Sequence, residues 1–154
     1  MNSLTVIISL IFQSTYGQNS PRDYLNSHNA ARNQVGVANV TLDNTIATYA
    51  QSYASQQVGD CSLVHSNGRY GVNLAKGTGT FTSTYAVSLW VAEKQYYTYN
   101  TNDCASDHDC LHYTQIVWRE SIRIGCDKVK CDNGWWYVVC NYDPPGNYER
   151  ELSH

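Results

Sequence analysis

The sequence predicts an α+β domain in which helices flank a small antiparallel sheet. Three observations favour this fold class. Apolar side chains recur at helical spacing in three segments, two strand-like segments near the C-terminus are joined by a turn signal, and all six cysteines lie after residue 60. A chain of 154 residues, 42% of them hydrophobic, is also long enough to enclose a single core.

Residues 1–17 have the character of a signal peptide, although of an atypical or truncated kind without a basic start. They carry no charged side chain, and their apolar run, Val6 to Phe12, is well short of the roughly 20 residues that a membrane span needs. Thr15 and Gly17 occupy the −3 and −1 positions of a cleavage site between Gly17 and Gln18. A buried strand is the alternative interpretation of this segment.

The first two helices have recognisable ends. Ser20 and Pro21 supply an N-cap and a first helical residue, and that helix is expected to run to about Asn33. A second helix is expected from Asp43 until Gly59-Asp60 closes it. Its apolar face would comprise Ile46, Ala47, Ala50, Tyr53 and Ala54.

A glycine-punctuated stretch and a third helix follow. The stretch contains one short strand candidate, Tyr70–Ala75. The third helix is predicted from about Thr82 to Tyr97, with Tyr85, Leu89, Ala92 and Tyr96 on one side.

The C-terminal third contains the predicted hairpin. A polar loop at Cys104–Asp109, which we expect a local disulfide to tie, precedes a short helix over Leu111–Trp118. The strands Arg123–Lys130 and Trp135–Asn141 are then joined at Asp132-Asn133-Gly134, a typical hairpin turn. From Pro144 onward we predict an extended tail, because the pair Pro144-Pro145 cannot continue a strand ladder.

Charge and motif content exclude several classes of function. The net charge is −3 and the ten Lys and Arg residues form no cluster, so neither nucleic acid nor a membrane surface is an expected partner. The sequence contains neither the G-x-S-x-G motif nor the H-E-x-x-H motif. Six cysteines behind a signal peptide favour three disulfides, for which fifteen pairings exist, and paired cysteines cannot act as nucleophiles. Asn39-Val40-Thr41 is a glycosylation sequon if the chain is secreted.

Two histidines and one acid are the candidates for chemistry. His65 lies in a glycine-bearing loop, His112 opens the short helix, and Glu93 lies on the third helix beside aromatic residues. Two imidazoles and a carboxylate can hold a divalent metal with an open position, or act as general acid and base. The alternative is a purely structural role for all three residues.

Four segments in a fixed order resemble a known family. The segments, each numbered at its first residue, are His65-Ser-Asn-Gly-Arg-Tyr-Gly-Val-Asn-Leu-Ala, Leu89-Trp-Val-Ala-Glu-Lys, His112-Tyr-Thr-Gln-Ile-Val-Trp and Cys140-Asn-Tyr-Asp-Pro-Pro-Gly-Asn. Together with residues 18–25 and 28–32, they resemble the plant pathogenesis-related class 1 proteins of the CAP superfamily. The resemblance covers essentially all of residues 18–148.

The resemblance implies a three-layer α-β-α sandwich over residues 18–143 with three disulfides. The pairs that it implies are Cys61–Cys131, Cys104–Cys110 and Cys126–Cys140. The family's central cleft usually carries two histidines and two glutamates, and His65, Glu93 and His112 match three of these positions. Val72 stands at the fourth position and can neither bind a metal nor carry a proton. The resemblance implies no required cofactor and gives His65 and His112 as an optional zinc site.

The resemblance further implies an extracellular, non-enzymatic defence protein that binds sterol or a related lipid. We expect a monomer with no membrane span, and the acidic pI favours the apoplast over the vacuole. Six aromatic residues are candidates for an apolar groove: Phe81, Tyr85, Trp90, Tyr96, Tyr97 and Tyr99.

Two alternatives of other classes remain. In the first, the chain is the precursor of a signalling peptide, 144–154, which would be released by cleavage between Asp143 and Pro144 and recognised by a receptor. In the second, it is a metal-dependent hydrolase using His65, His112 and Glu93. Because Val72 replaces the expected glutamate, we rank the hydrolase last of the three functions.

Overall fold

The computed structural model describes residues 19–154, so the predicted signal peptide and the Gly17–Gln18 cleavage site lie outside the described residues. The helices are α1 (Pro21–Gln34), α2 (Asn44–Gln56), α3 (Ser83–Ala92) and α4 (Leu111–Ile116). The strands are β1 (Thr41–Leu42), β2 (Gly71–Gly77), β3 (Tyr97–Thr98), β4 (Asp103–Cys104), β5 (Arg123–Lys130) and β6 (Trp136–Asp143).

The main sheet has the strand order β1-β5-β6-β2. Strands β5 and β6 form the predicted hairpin, and β2 pairs antiparallel with β6 on its other side. Strand β1, which the sequence did not predict because it has only two residues, pairs parallel with β5. The main sheet is therefore mixed, and a separate two-stranded antiparallel sheet is made by β3 and β4.

Helices cover both faces of the main sheet. Helix α2 packs on one face through Ala50 and Ala54, which meet Tyr137 and Val139 of β6. Helices α1, α3 and α4 pack on the other face, where the larger core contains Tyr24, Trp90, Ile116 and Val138. The predicted three-layer α-β-α sandwich is confirmed.

The helix starts follow the capping residues that the sequence offers. The Ser20 side chain accepts a hydrogen bond from the amide of Asp23, whose own carboxylate accepts from the amide of Ser20, so α1 begins with a complete capping box. Asp43 caps α2 by accepting from the amide of Ile46 at 3.0 Å. Local chemistry therefore fixes both N-termini.

The buried face of α3 differs from the predicted one. Tyr85 and Leu89 are exposed, while Ala86, Val87 and Trp90 face the core. The helix is apolar on most sides, so periodicity could not choose a face, whereas the Trp90 indole finds a buried partner by donating to the carbonyl oxygen of Leu74 at 3.0 Å. The α-helix also ends at Ala92, and a 3₁₀ turn continues to Tyr96.

Three disulfides staple the sandwich. Their pairs are Cys61–Cys131, Cys104–Cys110 and Cys126–Cys140, the same pairs that the resemblance implies. The first links the loop after α2 to the β5–β6 turn, the second closes the loop before α4, and the third joins β5 to β6. No cysteine in this part of the chain is free.

Candidate functional site

The site forms where the end of α3 meets the start of α4. Glu93 directly follows α3, and His112 is the second residue of α4. Glu93 Oε1 lies 2.6 Å from His112 Nδ1, and Oε2 accepts hydrogen bonds from the backbone amides of His112 and Tyr113, both at 3.0 Å. Glu93 thus satisfies two of the donors that the first turn of a helix leaves without an intrahelical partner.

The bond to Glu93 fixes the orientation of the His112 ring. With Nδ1 held by the carboxylate, Nε2 is the nitrogen left for a ligand. The Trp90 indole is stacked beside the imidazole, with ring centroids 6.2 Å apart and planes 11° from parallel. The ring is therefore held from its edge and from one face.

His112 and His65 line one cavity of about 340 Å³. Burial by itself lowers the pKa of His112, but the hydrogen bond to Glu93 and the charges of Glu93 and Asp109 outweigh it, so the pKa is raised. His65 lies on an exposed loop, and its pKa is lowered by partial burial and by the neighbouring His112. The two imidazoles thus differ in their readiness to carry charge in the same cleft.

Val72 lines the same cavity, at the position where the resemblance expects a second glutamate. Its neighbour Asn73 faces inward and donates to the carbonyl of His112 and to the hydroxyl of Tyr142, both at 3.0 Å. The Tyr142 hydroxyl lies 2.8 Å from Nε2 of His28, which is fully buried. A buried polar network therefore ties α4 to the sheet and to α1.

Sequence reasoning missed Asp109. Its Oδ2 lies 3.9 Å from Nδ1 of His112, and its side chain lines the same cavity. Glu93, Asp109 and His112 offer ligand atoms that all lie within 4.8 Å of one another. The available signal was the i, i+3 spacing of Asp109 and His112 at the start of a predicted helix.

The six aromatic residues predicted to line an apolar groove lie in different surroundings. Phe81 and Trp90 belong to the core, and Tyr85 is exposed on the outer side of α3, where its ring meets Phe81 edge to face. Tyr96 stacks on His108 and Tyr99 on His154. Phe81 precedes α3 and the other five lie on α3 or after it, so a groove shared by all six stays a prediction.

Two adjoining cavities lie beside Trp136, with volumes of about 430 and 360 Å³. Trp136 and Lys128 line both of them. Lys128 Nζ lies 4.2 Å from the centre of the indole ring, and the indole nitrogen donates to the carbonyl of Gly79 at 3.0 Å. The ring is thus fixed in place while it remains partly accessible.

The C-terminal segment, 144–154, forms no helix or strand and is docked on the domain. Ser153 is buried, and its carbonyl accepts from the amide of Arg119 at 2.7 Å. The side chain of Asn102 donates to the carbonyl of Glu151 at 3.0 Å. Asp143 is the last residue of β6, and the carbonyl of Pro144 accepts from the Ser121 hydroxyl at 2.7 Å, so both sides of the proposed cleavage site are held.

Asn39 of the sequon is exposed in the loop before β1, where an oligosaccharide would meet solvent. Among residues 19–154, no helix is long and apolar enough to cross a membrane.

Comparison with known proteins gives one family. The model of the cysteine-rich secretory protein family, CAP, matches residues 25–142. The chain is 55% identical over 146 residues to pathogenesis-related protein 1B of Nicotiana tabacum, covering 94% of this chain and 87% of that protein. It is 52% identical over 143 residues to pathogenesis-related leaf protein 6 of Solanum lycopersicum, covering 93% and 89%.

Solved structures share the fold at lower identity. The venom allergen-like protein 4 of Schistosoma mansoni superimposes with a TM-score of 0.69 at 25% identity, covering 87% of this chain and 93% of that one. A structure described as NaASP2 with Zn²⁺ has a TM-score of 0.69 at 21% identity, covering 87% and 84%.

Proposed function

Because this chain belongs to the CAP family of cysteine-rich secretory proteins, we propose that it is a secreted, extracellular plant defence protein of the pathogenesis-related class 1 type that binds a ligand without catalysing a reaction. The non-enzymatic part of this proposal rests on the hydrogen bonds that the Glu93 carboxylate accepts. Both of its oxygens are engaged by donors of α4, so we assign Glu93 to holding His112 in place rather than to serving as the general base of a hydrolase. Val72 supplies no replacement.

A turnover assay tests this part of the proposal. Wild-type protein and the H65A/H112A double variant would be incubated with peptide and ester substrates, with and without added zinc. We expect equal background rates from the two proteins. Turnover by the wild type that disappears in the double variant would favour the hydrolase alternative.

For the ligand, we propose a sterol or related lipid bound beside Trp136. The two cavities at this ring have volumes within the range of about 300–1,000 Å³ that is typical of small-molecule sites. The indole offers an apolar surface for a ring system. Thr80, Thr82 and Lys128 line the larger cavity and offer polar groups for a single hydroxyl.

Binding of a labelled sterol to the oxidised protein, with and without one equivalent of zinc, tests the lipid site. We expect saturable binding that W136A weakens at least about tenfold, or 1.4 kcal/mol. W135A is the matched control, because Trp135 is also partly exposed but does not line either cavity. An absence of binding in both conditions, or equal weakening by the two variants, contradicts the proposed site.

The peptide-precursor alternative requires a further step. Residues 144–154 make hydrogen bonds with α4, with Ser121 and with the β3–β4 region, so the segment would have to detach before or after cleavage. Mass spectrometry of the fluid around secreting cells is the test. Only the intact C-terminus is expected. Detection of a peptide beginning at Pro144 would revive this alternative and call for a receptor.

We also propose that the cleft between His65 and His112 binds zinc. His65, His112 and Asp109 line this cavity, and two imidazoles with a carboxylate are a donor set that suits zinc, which acts as a Lewis acid when it is bound. One of the similar folds is described with Zn²⁺, although at 21% identity that likeness shows the fold alone. Glu93 would orient His112 for this ion through Nδ1.

A further inference from the structure

We propose that Asp109 is the carboxylate ligand of this cleft, in the role that Val72 cannot fill. The inference rests on the proposed zinc site and names a residue that the family resemblance did not point to. His65, His112 and Asp109 would provide three protein ligands, and the open mouth of the cavity would leave a position for water.

Glu93 does not fill this role, because it does not line the cavity and both of its oxygens already bond to α4. Oε2 already accepts two backbone amides, and Oε1 lies at hydrogen-bond distance, 2.6 Å, from His112 Nδ1. A zinc ion placed between these two atoms would need about 2.0 Å to each ligand and so a much wider gap. Glu93 is therefore a positioning residue that leaves Nε2 of His112 for the metal.

Asp109 has one oxygen engaged and one available. Oδ1 accepts a hydrogen bond from the amide of Leu111 at 2.9 Å, which orients the carboxylate at the start of α4. Oδ2 lies 3.9 Å from Nδ1 of His112, and none of residues 19–154 holds it there by a hydrogen bond, so the carboxylate can turn toward a metal on Nε2. The side chain lines the same cavity as both histidines and is 57% exposed, so an ion can reach it from solvent.

The loop that carries Asp109 is held on both sides. His108 stacks on Tyr96, with ring centroids 3.5 Å apart, and Cys110 is tied to Cys104 by the disulfide. Asp109 thus lies between two anchored residues, and its backbone position is set without any metal. A preformed carboxylate lowers the ordering cost of binding.

The test compares zinc affinity in D109N with that in D107N, measured by competition with a chromogenic chelator. The amide introduced by D109N keeps an oxygen that can accept from the amide of Leu111, so this variant loses the charge and the ligand oxygen Oδ2 while the hydrogen bond of the loop is kept. Asp107 is exposed in the same loop and has a φ of 63°, which asparagine also tolerates, so D107N removes the same charge without a strain penalty. We expect D109N to weaken zinc binding at least about tenfold and D107N to change it less than about twofold.

The spectrum of the Co²⁺ complex is a second measurement, which a long-range charge effect would not change. Its visible absorption reports the number and type of ligands, so D109N is expected to change the spectrum while D107N leaves it unaltered. In the double variant V72E/D109N, the new glutamate lines the same cavity and is expected to restore part of the lost affinity.

The outcomes separate the two levels of the proposal. If the wild type binds zinc, H65A/H112A abolishes binding, and D109N matches the wild type, the zinc site stands and the role of Asp109 is overturned. If the wild type binds no zinc at millimolar concentration, the zinc site and the role of Asp109 both fail, while the lipid proposal is untouched. Equal weakening in D109N and D107N also overturns the inference, because it indicates a long-range charge effect.

Discussion

Glu93 binds His112 at both its ring and its backbone: Oε1 is 2.6 Å from Nδ1, and Oε2 accepts the amide at 3.0 Å. One carboxylate therefore closes the first turn of α4 and sets the ring that faces the cleft. The two residues are 19 positions apart, on different helices, so only the packing of α3 against α4 brings them together.

The first prediction concerns the pKa of His112 in E93Q. The glutamine removes the negative charge and the charge-assisted hydrogen bond that together raise this pKa, so the pKa of His112 should fall. An NMR titration of the ring protons measures it, and E120Q, at an exposed glutamate, is the control.

The sign of the linked stability follows from the raised pKa. His112 contributes to stability below the unfolded-state pKa of about 6.5, and this contribution is lost as the pH rises through the higher folded value. E93Q should therefore lower the free energy of unfolding mainly at pH values below the folded-state pKa of His112. A pKa of His112 that stays at its wild-type value in E93Q would show that Glu93 does not control it.

The second prediction is a loss of stability in acid caused by His28. Burial lowers its pKa to about 4, while its Nδ1 and Nε2 face the carbonyl of Tyr24 and the hydroxyl of Tyr142. The unfolded chain binds this proton more readily, so stability is full above about pH 6.5 and falls as the pH drops toward 4.

Urea unfolding of the wild type at a series of pH values measures this slope. The loss attributable to His28 should approach about 3 kcal/mol at the acid end. H28Q should give a shallower slope, and H108Q, at an exposed histidine, should leave the slope unchanged. Parallel slopes for H28Q and the wild type would assign the acid sensitivity to other groups.

The third prediction concerns Arg32, a buried cation with no carboxylate partner among the ion pairs of residues 19–154. Its guanidinium donates to the carbonyls of Ala38, Ile116, Trp118 and Ser121 at 2.7–3.0 Å, and so joins α1 to the segment after α4. R32M keeps the volume but leaves these buried acceptors without a donor.

We expect R32M to lower the free energy of unfolding by at least about 3 kcal/mol, since each unsatisfied buried group costs about 1–3 kcal/mol. Chemical denaturation of the oxidised protein measures it. The matched control is R22M, at an exposed arginine of the same helix, which should cost less than about 0.5 kcal/mol. Similar losses in the two variants would mean that the carbonyls find water instead.

The fourth prediction compares two disulfides. Cys61–Cys131 spans 70 positions and Cys104–Cys110 spans six, so removing the first should destabilise the protein more. In the chain-entropy model the costs are about 4 and about 2 kcal/mol. The paired alanine variants, C61A/C131A and C104A/C110A, would be compared by chemical denaturation. An equal or reversed order would show that native contacts, rather than loop closure, dominate.

Local sequence determined most of the elements. The Ser20–Asp23 capping box, the Asp43 cap and the turn between β5 and β6 depend on residues within a few positions of one another, so their chemistry could be recognised before folding. The ordered motifs also identified the family and, through it, the sandwich. The prediction of α3 was the weak one, because a helix that is apolar on most sides has no preferred face until a core is present.

The tertiary structure alone decided the site. It showed that the oxygens of Glu93 bond to α4 and that Asp109 lies in the cleft. It also showed that the six aromatic residues lie in different surroundings and that residues 144–154 are docked on the domain. Each of these facts depends on contacts between segments far apart in the chain, and a hydrogen bond or a shared cavity exists only once packing has fixed both partners. Sequence patterns report the preferences of single segments, whereas the chemistry of this cleft arises from the distances between them.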